Sequence, residues 1–399
     1  MNAWLIAGIA VAIFLAWNNG SNNAANMIGT AVGAGVISLR RALALSSIAT
    51  LVGALLLGKY VTNTVMRGIV NIASLTSPVI VSAVMISVLA SASLWTLISS
   101  FIRVPMSVHA CVLGGLIGAG LAIGMHSVNW STLARIFISW LFVPFIAAGF
   151  SCALLTVVNR ASSTRRGLRV LIPLASFVMI FVPMLLSFLK SRTTALTALG
   201  IAIGCGLGAS AITMVLWLRT EKRSRFQDPS SLRDEAMKIL LIEAAIAMSF
   251  SFGSNDVANS AGPLAAILYV SAFHSHSVET SILTAVTVAG CSLAMGIATW
   301  GSSVVETVGR RITLLSPSSA FVAQLSAAII MAILSRLGIP ASTSMAIVGG
   351  VMGVGMARGL RNVDFKTVAK VFGMWYIAIP CAAATAYIIY ILVSRLFLA

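Results

Sequence analysis

Two stretches rich in amide side chains adjoin apolar segments of the chain. The first, residues 18–26, reads Asn-Asn-Gly-Ser-Asn-Asn-Ala-Ala-Asn and follows the apolar run 4–17. The second, residues 253–259, reads Gly-Ser-Asn-Asp-Val-Ala-Asn and follows the apolar run 239–252. Amides, hydroxyls and a carboxylate are costly to bury unless each one finds a partner. Because the cluster occurs twice, it predicts a built binding site.

The residue types of these stretches suit a cation. We interpret the second stretch as the point where a helix is broken. The Asp256 carboxylate and the amide oxygens of Asn255 and Asn259 are hard ligands suited to Na⁺. The first stretch offers neutral ligands, Asn23 and Asn26. The alternative, that these polar side chains only hold helices together, stays open.

Hydroxyls that follow prolines suit an anion. Residues 104–107 read Val-Pro-Met-Ser, and residues 340–344 read Pro-Ala-Ser-Thr-Ser. Pro at the start of a helix followed by Ser or Thr presents hydroxyls beside unpaired backbone N–H groups. That combination suits a tetrahedral oxyanion, and ordinary helix capping is the alternative. The predicted anion ligands are Asn22, Ser107, Asn255, Ser342, Thr343 and Ser344.

Composition places these motifs in a membrane protein. Hydrophobic residues make up 59% of the chain and charged residues 9%, and the mean hydropathy is +1.02. Apolar runs of about twenty residues recur, and each is long enough to cross a hydrocarbon core as a helix. The runs are continuously apolar, not alternating, which favours helices over a barrel. The sequence therefore predicts an all-α polytopic protein in a lipid bilayer, with about 10–12 transmembrane segments.

The charge pattern predicts the topology. The net charge of +17 comes from Lys and Arg in short loops, so it does not indicate a nucleic-acid partner. Loops 159–169 and 219–238 lie two spans apart, hence on the same side, and together hold ten Lys/Arg, four plus six. The positive-inside rule makes that side cytoplasmic. We expect a multi-pass protein of the cell membrane with an external N-terminus.

An internal repeat explains why the motifs occur twice. Residues 20–29 match residues 253–262 at six of ten positions, and residues 58–67 align with 301–310, which pairs Asn63 with Glu306. Residues 104–107 align with 339–342, and Trp140 aligns with Trp375. We expect two inverted-topology repeats with broken or re-entrant helices, 1–158 and 238–399, around a two-span insert, 159–237. Such duplications are typical of transporters with a site at the repeat interface.

The order of these motifs resembles that of the inorganic phosphate transporter (PiT) family. Besides the two Asn/Asp stretches, the resemblance rests on residues 262–266, Gly-Pro-Leu-Ala-Ala, residues 316–321, Ser-Pro-Ser-Ser-Ala-Phe, and the Pro-Ala-Ser-Thr-Ser segment. It covers nearly the whole chain. The resemblance implies a secondary transporter that moves phosphate together with Na⁺ or H⁺. The family also contains sulfate permeases.

The first repeat departs from the family pattern by losing acidic residues. Asn23 and Asn63 stand where relatives carry Asp and Glu, and Gln324 stands where they are often acidic, whereas Asp256 and Glu306 are kept. We therefore expect fewer or weaker coupling cations than in a symmetric relative. The predicted cation ligands are Asn23, Asn26, Asp256, Asn259 and Glu306. Auxiliary candidates are Ser21, Ser254, Asn63, Gln324 and His109, the last in a degraded Ser-Thr-Thr-His pattern.

Several functional classes remain to be weighed. Phosphate is favoured over sulfate because monohydrogen phosphate has a proton that a buried carboxylate can accept, but loss of one carboxylate weakens that discrimination. A sulfate permease is therefore the first alternative and an anion channel the second. No nucleophile–base pair or metal-binding motif indicates an enzyme, a cofactor, or a metal other than Na⁺. A homo-oligomer is compatible with the sequence, and Glu243, four residues into an apolar run, is interpreted as an interfacial side chain.

Overall fold

Helices account for nearly all of the described chain. The computed structural model describes residues 2–68, 77–124, 130–189, 194–223, 229–271, 277–336 and 342–397, and these residues contain no β-strand. The first part contains α1 (Asn2–Gly33), α2 (Leu39–Gly68), α3 (Pro78–Phe101), α4 (Val108–Ile123) and α5 (Trp130–Ala161). The central pair is α6 (Arg165–Leu189) and α7 (Ala195–Arg223).

The last part of the chain contains more breaks between its helices. It contains α8 (Pro229–Asp256), α9 (Ala258–Ser271), α10 (Val278–Trp300), α11 (Ser302–Glu306), α12 (Pro317–Arg336), α13 (Thr343–Ala357) and α14 (Phe365–Phe397). A π-helix, Thr307–Arg311, follows α11, and a 3₁₀ turn, Leu360–Asn362, precedes α14.

Helix lengths confirm the predicted polytopic fold. Nine apolar segments of the described chain are long enough to cross a membrane, with α8 and α9 together forming one of them, Ser230–Ser271. Two apolar helices are shorter, α4 (Val108–Ile123) and α13 (Thr343–Ala357). A helix of fifteen or sixteen residues is about 24 Å long, less than a hydrocarbon core of about 30 Å. These lengths fit the broken or re-entrant helices expected from the sequence.

The two polar stretches have different backbones. The second breaks its helix, because α8 ends at Asp256, Val257 is a turn, and α9 begins at Ala258. The first does not, since α1 runs without interruption from Asn2 to Gly33. In the first stretch, the Ser21 hydroxyl and the Asn23 Nδ2 donate to carbonyl oxygens of their own helix, those of Asn18 and Asn19. The polar composition that the two stretches share therefore does not decide whether the helix breaks.

Helices of the two halves pack against each other reciprocally. The first helix of the first half, α1, packs on α10 of the second half. The first helix of the second half, α8, packs on α2 of the first half. Glycines allow the close approach. A Cβ on Gly253 would lie 1.9 Å from the Thr50 carbonyl oxygen, and one on Gly296 would lie 1.9 Å from the Trp17 carbonyl oxygen. The insert helices α6 and α7 pack on each other, and both contact α8.

Candidate anion and cation site

Asn22 fastens the α3–α4 tip, residues 102–107, to α1. Its Nδ2 lies 3.0 Å from Ser99 Oγ, 2.9 Å from Ser100 Oγ and 3.3 Å from the Val104 carbonyl oxygen. Its Oδ1 accepts a hydrogen bond from the Met106 N–H at 2.7 Å. Asn22 is fully buried, and both of its polar atoms are occupied in holding this tip.

Ser344, in the first turn of α13, joins α13 to α1 and to the α3–α4 tip. Its hydroxyl lies 2.9 Å from the Met106 carbonyl oxygen and 3.0 Å from Asn23 Oδ1. The Asn26 Nδ2 donates to it at 2.8 Å and to Asn23 Oδ1 at 2.5 Å. The Ser344 hydroxyl therefore contacts Met106 and Asn23, which precede it in the chain by 238 and 321 positions.

Asp256 and His109 form the titratable part of the site. His109 Nδ1 lies 3.5 Å from Asp256 Oδ1 and 3.4 Å from Asn259 Nδ2. Only 2% of the Asp256 side chain is exposed, against 15% for His109. A ring nitrogen between an acceptor and a donor can either donate or accept a hydrogen bond. Its proton therefore decides which partner it binds.

Asn19, which is not among the ligands predicted from the sequence, links the acidic part of the network to the amide part. Its Nδ2 donates to the Asp256 carbonyl at 3.2 Å, at the break between α8 and α9. Its Oδ1 accepts from Asn23 Nδ2 at 2.7 Å. Asn19 precedes Asn23 by four residues, so the two share a face of α1. That spacing is the signal that could have identified it.

Two buried oxygens in this network lack a hydrogen-bond partner among the described residues, Asp256 Oδ2 and Asn26 Oδ1. Buried polar atoms are almost always satisfied. A carboxylate and an amide oxygen are both hard ligands of the kind that a small cation prefers. Each of these oxygens is thus of a type that suits Na⁺, and the carboxylate also suits a proton.

Three helix starts meet at this network. Ser107 caps α4 by accepting from the Ala110 N–H, and Ser342 caps α13 by accepting from the Met345 N–H. The start of α9 lies beside His109 of α4 through Asn259. Helix N-termini carry partial positive charge and free N–H groups, which favour an anion. The arrangement can therefore hold an anion next to a cation.

The remaining predicted residues differ in their contacts and in their burial. Gln324 packs α12 on α1 by accepting from Thr30 and contacting the carbonyl oxygens of Asn26 and Met27. Thr343 is buried beside Ser344, Asn255 is half-buried, and the Ser254 hydroxyl donates to the carbonyl of Ser251 in its own helix.

The second predicted pair, Asn63 and Glu306, is not brought to the network by the described contacts. Asn63 is exposed on α2. Glu306 ends α11, and its side chain is not among those that the structure describes. Pro340, which begins the Pro-Ala-Ser-Thr-Ser segment, also lies outside the described residues. The neighbouring Thr307 donates to the Arg103 carbonyl at 2.7 Å, which ties the π-helix to the α3–α4 tip.

Comparison with known proteins decides the family. Residues 19–386 match the model of the phosphate transporter family. The chain belongs to the phosphate transporter family. It is 31% identical to the protein named "Putative phosphate permease" of Chlamydia muridarum, over 99% of each chain. It is 30% identical to the inorganic phosphate transporter 2-1, chloroplastic, of Arabidopsis thaliana, over 96% of this chain and 71% of the relative.

A solved structure has the same fold as this chain. The protein described as the sodium-dependent phosphate transporter superposes with a TM-score of 0.91 and 30% identity, over 99% of this chain and 100% of that one. These findings confirm the predicted family and helical fold. They also confirm that the protein is a membrane transporter and not an enzyme.

Proposed function

We propose that the protein carries inorganic phosphate across the cell membrane by symport with a cation, Na⁺ or H⁺. The observation that supports this most is the meeting of three helix starts on one buried network that contains the Asp256 carboxylate. An oxyanion and a cation bound side by side neutralise each other in a medium where either alone is costly. Family membership supports phosphate as the anion.

The anion is assigned to the helix starts and their hydroxyls. Phosphate has four oxygens and needs many donors, which the N–H groups at the starts of α4, α9 and α13 offer without a fixed positive charge. The ligands proposed are Asn22, Ser107, Asn255, Ser342, Thr343 and Ser344. Because Asn22 holds the α3–α4 tip to α1 and Ser344 holds it to α13, their release or exchange of partners couples anion binding to movement of this tip.

The cation is assigned to the break between α8 and α9. Asp256, Asn259, Asn23 and Asn26 supply oxygen ligands, and Glu306 is retained as a further candidate. The sodium dependence in the description of the similar structure favours Na⁺. The contact between His109 and Asp256 keeps H⁺ as the alternative, because a proton on either group changes the charge beside the anion.

The predicted arrangement in the membrane completes the proposal. Inverted repeats over residues 1–158 and 238–399 are supported by the reciprocal packing of α1 on α10 and α2 on α8. The two-span insert, 159–237, places loops 159–169 and 219–238 in the cytoplasm and the N-terminus outside, as the positive-inside rule predicts. The similar protein from a chloroplast makes the type of membrane a point to test by fractionation.

Uptake of labelled phosphate into proteoliposomes tests the proposal. We expect accumulation that requires an inward gradient of Na⁺ or H⁺ and is inhibited weakly by sulfate. Asp256→Asn should reduce uptake at least tenfold, whereas Asp234→Asn, an exposed position on the same helix, should not. Stronger inhibition by sulfate than by phosphate would favour a sulfate permease. Anion flux that only follows its own gradient would favour a channel.

A further inference from the structure

A second polar cluster lies away from the anion and cation site, where the insert helices meet α8. The Ser176 hydroxyl of α6 donates to Glu243 Oε1 at 2.5 Å, and the Thr213 hydroxyl of α7 donates to Glu243 Oε2 at 2.9 Å. The two hydroxyl oxygens are 3.3 Å apart. Ser176 and Thr213 are buried and Glu243 is half-buried. The carboxylate therefore joins three helices.

The three residues lie at one depth. Glu243 is five residues beyond Lys238, Ser176 is seven beyond Arg169, and Thr213 is six before Arg219. At a rise of about 1.5 Å per residue, each lies about 7–11 Å from the nearest charged residue of its helix. The cluster is thus inside the apolar segments but close to the side that carries loops 159–169 and 219–238. The interpretation of Glu243 as a simple interfacial side chain is corrected by this packing.

No cation neutralises Glu243 in the described chain. The ion pairs there involve Asp256, Glu221 and Glu235. Of the helices that contact α8, α1 has no charged residue, α9 has Tyr269 as its titratable group, and α12 has Arg336 at its far end. The nearest charged residues on α2, α6, α7 and α8 are Arg41, Arg169, Arg219 and Lys238. An ionised carboxylate in an apolar segment without a cation is costly, which favours uptake of a proton.

The two hydroxyls satisfy Glu243 in both of its protonation states. When the carboxylate is ionised, each hydroxyl donates to one oxygen, as the distances indicate. When it is protonated, the carboxyl O–H donates to one hydroxyl oxygen while the other hydroxyl still donates to the free carboxyl oxygen. The proton can thus bind and leave with only rotation of hydroxyl groups. A purely structural link needs only one of these two states.

We propose that Glu243, with Ser176 and Thr213, is a proton-binding site distinct from the transport site and open to the side of the basic loops. Glu243 and Asp256 lie on the same continuous helix, thirteen residues apart, about 20 Å along its axis. The charge of Glu243 therefore sets how the insert helices hold α8, whose end carries Asp256. Proton binding here makes the transport rate depend on pH on that side, a consequence that rests on the proposed function.

Infrared difference spectra of the full chain in lipid vesicles test the site without measuring transport. Between alkaline and acidic buffer, we expect a carboxyl C=O band to grow in the wild type. Glu243→Gln should remove that band, Ser176→Ala should shift its frequency, and the exposed control Glu279→Gln should leave it unchanged. Any carboxyl band that disappears in Asp256→Asn comes from Asp256 and not from Glu243. An unchanged band in Glu243→Gln overturns the proposal, as does a band that responds to Na⁺ at fixed pH but not to pH.

Transport gives the second readout. In proteoliposomes, the rate of phosphate uptake by Glu243→Gln should change less with pH on the side of the basic loops than the rate of wild type does, while Glu279→Gln keeps the wild-type profile. An identical pH profile in Glu243→Gln and wild type would contradict a role in regulation. If the wild type transports no phosphate, the proposed function is wrong. The infrared spectra then still test whether Glu243 binds a proton, because they do not depend on transport.

Discussion

Ser344 shows how one side chain can connect the proposed anion ligands with the proposed cation ligands. Its hydroxyl bonds the α3–α4 tip through Met106 and the amides of α1 through Asn23 and Asn26. It is 1% exposed, so water does not replace a lost partner. Leaving a buried acceptor unsatisfied costs about 1–3 kcal/mol.

Replacing Ser344 with Ala should therefore slow phosphate uptake roughly tenfold, since tenfold corresponds to about 1.4 kcal/mol. Ser344→Thr keeps the hydroxyl and should retain most of the activity. The matched control is Ser163→Ala, because that exposed hydroxyl bonds only a neighbouring turn. Initial rates in proteoliposomes measure the effect. Equal rates for Ser344→Ala and wild type would remove Ser344 from the proposed mechanism.

Asn23 allows the effect of the missing carboxylate to be measured directly. Its Nδ2 faces Asn19 Oδ1 at 2.7 Å. In Asn23→Asp a carboxylate oxygen would face that oxygen, and a bound cation or proton relieves the repulsion. We expect uptake by this variant to depend more steeply on Na⁺ or H⁺ concentration. Asn362→Asp, at an exposed position outside the candidate site, is the control; an unchanged cation dependence in Asn23→Asp would count against a cation near Asn23.

At the scale of helices, the close contact of α8 with α2 holds the broken helix in place. Gly253 opens the second polar stretch, three residues before the break, and touches the Thr50 carbonyl. Its neighbour on α8, Ser249, accepts a hydrogen bond from Thr50 at its carbonyl and contacts Ser46. The break is thus fixed from α2 on one side and from Asn19 of α1 on the other.

Gly253→Ala should separate α8 from α2, because a Cβ would lie 1.9 Å from a backbone oxygen. Overpacking of this kind costs about 1–3 kcal/mol, so both the melting temperature and phosphate uptake should fall. Gly204→Ala on α7 is the control, since nothing lies within 4 Å of its Cβ position, and it should be neutral or slightly stabilising. A melting temperature equal to that of wild type in Gly253→Ala would contradict the packing.

At the scale of the whole molecule, the two halves are unequal in charge. All nine Asp and Glu residues lie at position 221 or later, whereas the first 220 residues carry thirteen Lys and Arg. In the described amide network, Asp256 is the one carboxylate. The backbone is unequal too, since α1 is continuous and α8–α9 is broken.

This asymmetry predicts a low coupling stoichiometry. If a single carboxylate neutralises the cation, uptake should rise with Na⁺ or H⁺ concentration with a Hill coefficient of about one. Phosphate uptake at varied Na⁺ and at varied pH, each with the other held fixed, measures it. A steep dependence on two or more Na⁺ ions would contradict the prediction and point to ligands outside the described network.

The sequence by itself was sufficient for the fold class, the family and most of the residues that meet in the site. Hydropathy fixes the lengths of membrane helices because a hydrocarbon core tolerates few polar groups, and the repeated motifs marked residues 18–26 and 253–259. His109 was identified as a candidate, although nothing in the sequence placed it beside Asp256.

The tertiary structure alone decided the pairings. Only the structure shows that α1 is continuous through residues 18–26, whereas α8 ends at Asp256 within the similar second stretch. Asn19 gained its role from a helix break 237 residues away, and Glu243 from hydroxyls on two other helices. Local sequence encodes helix length and polarity, but a hydrogen bond between distant helices exists only once the chain has packed.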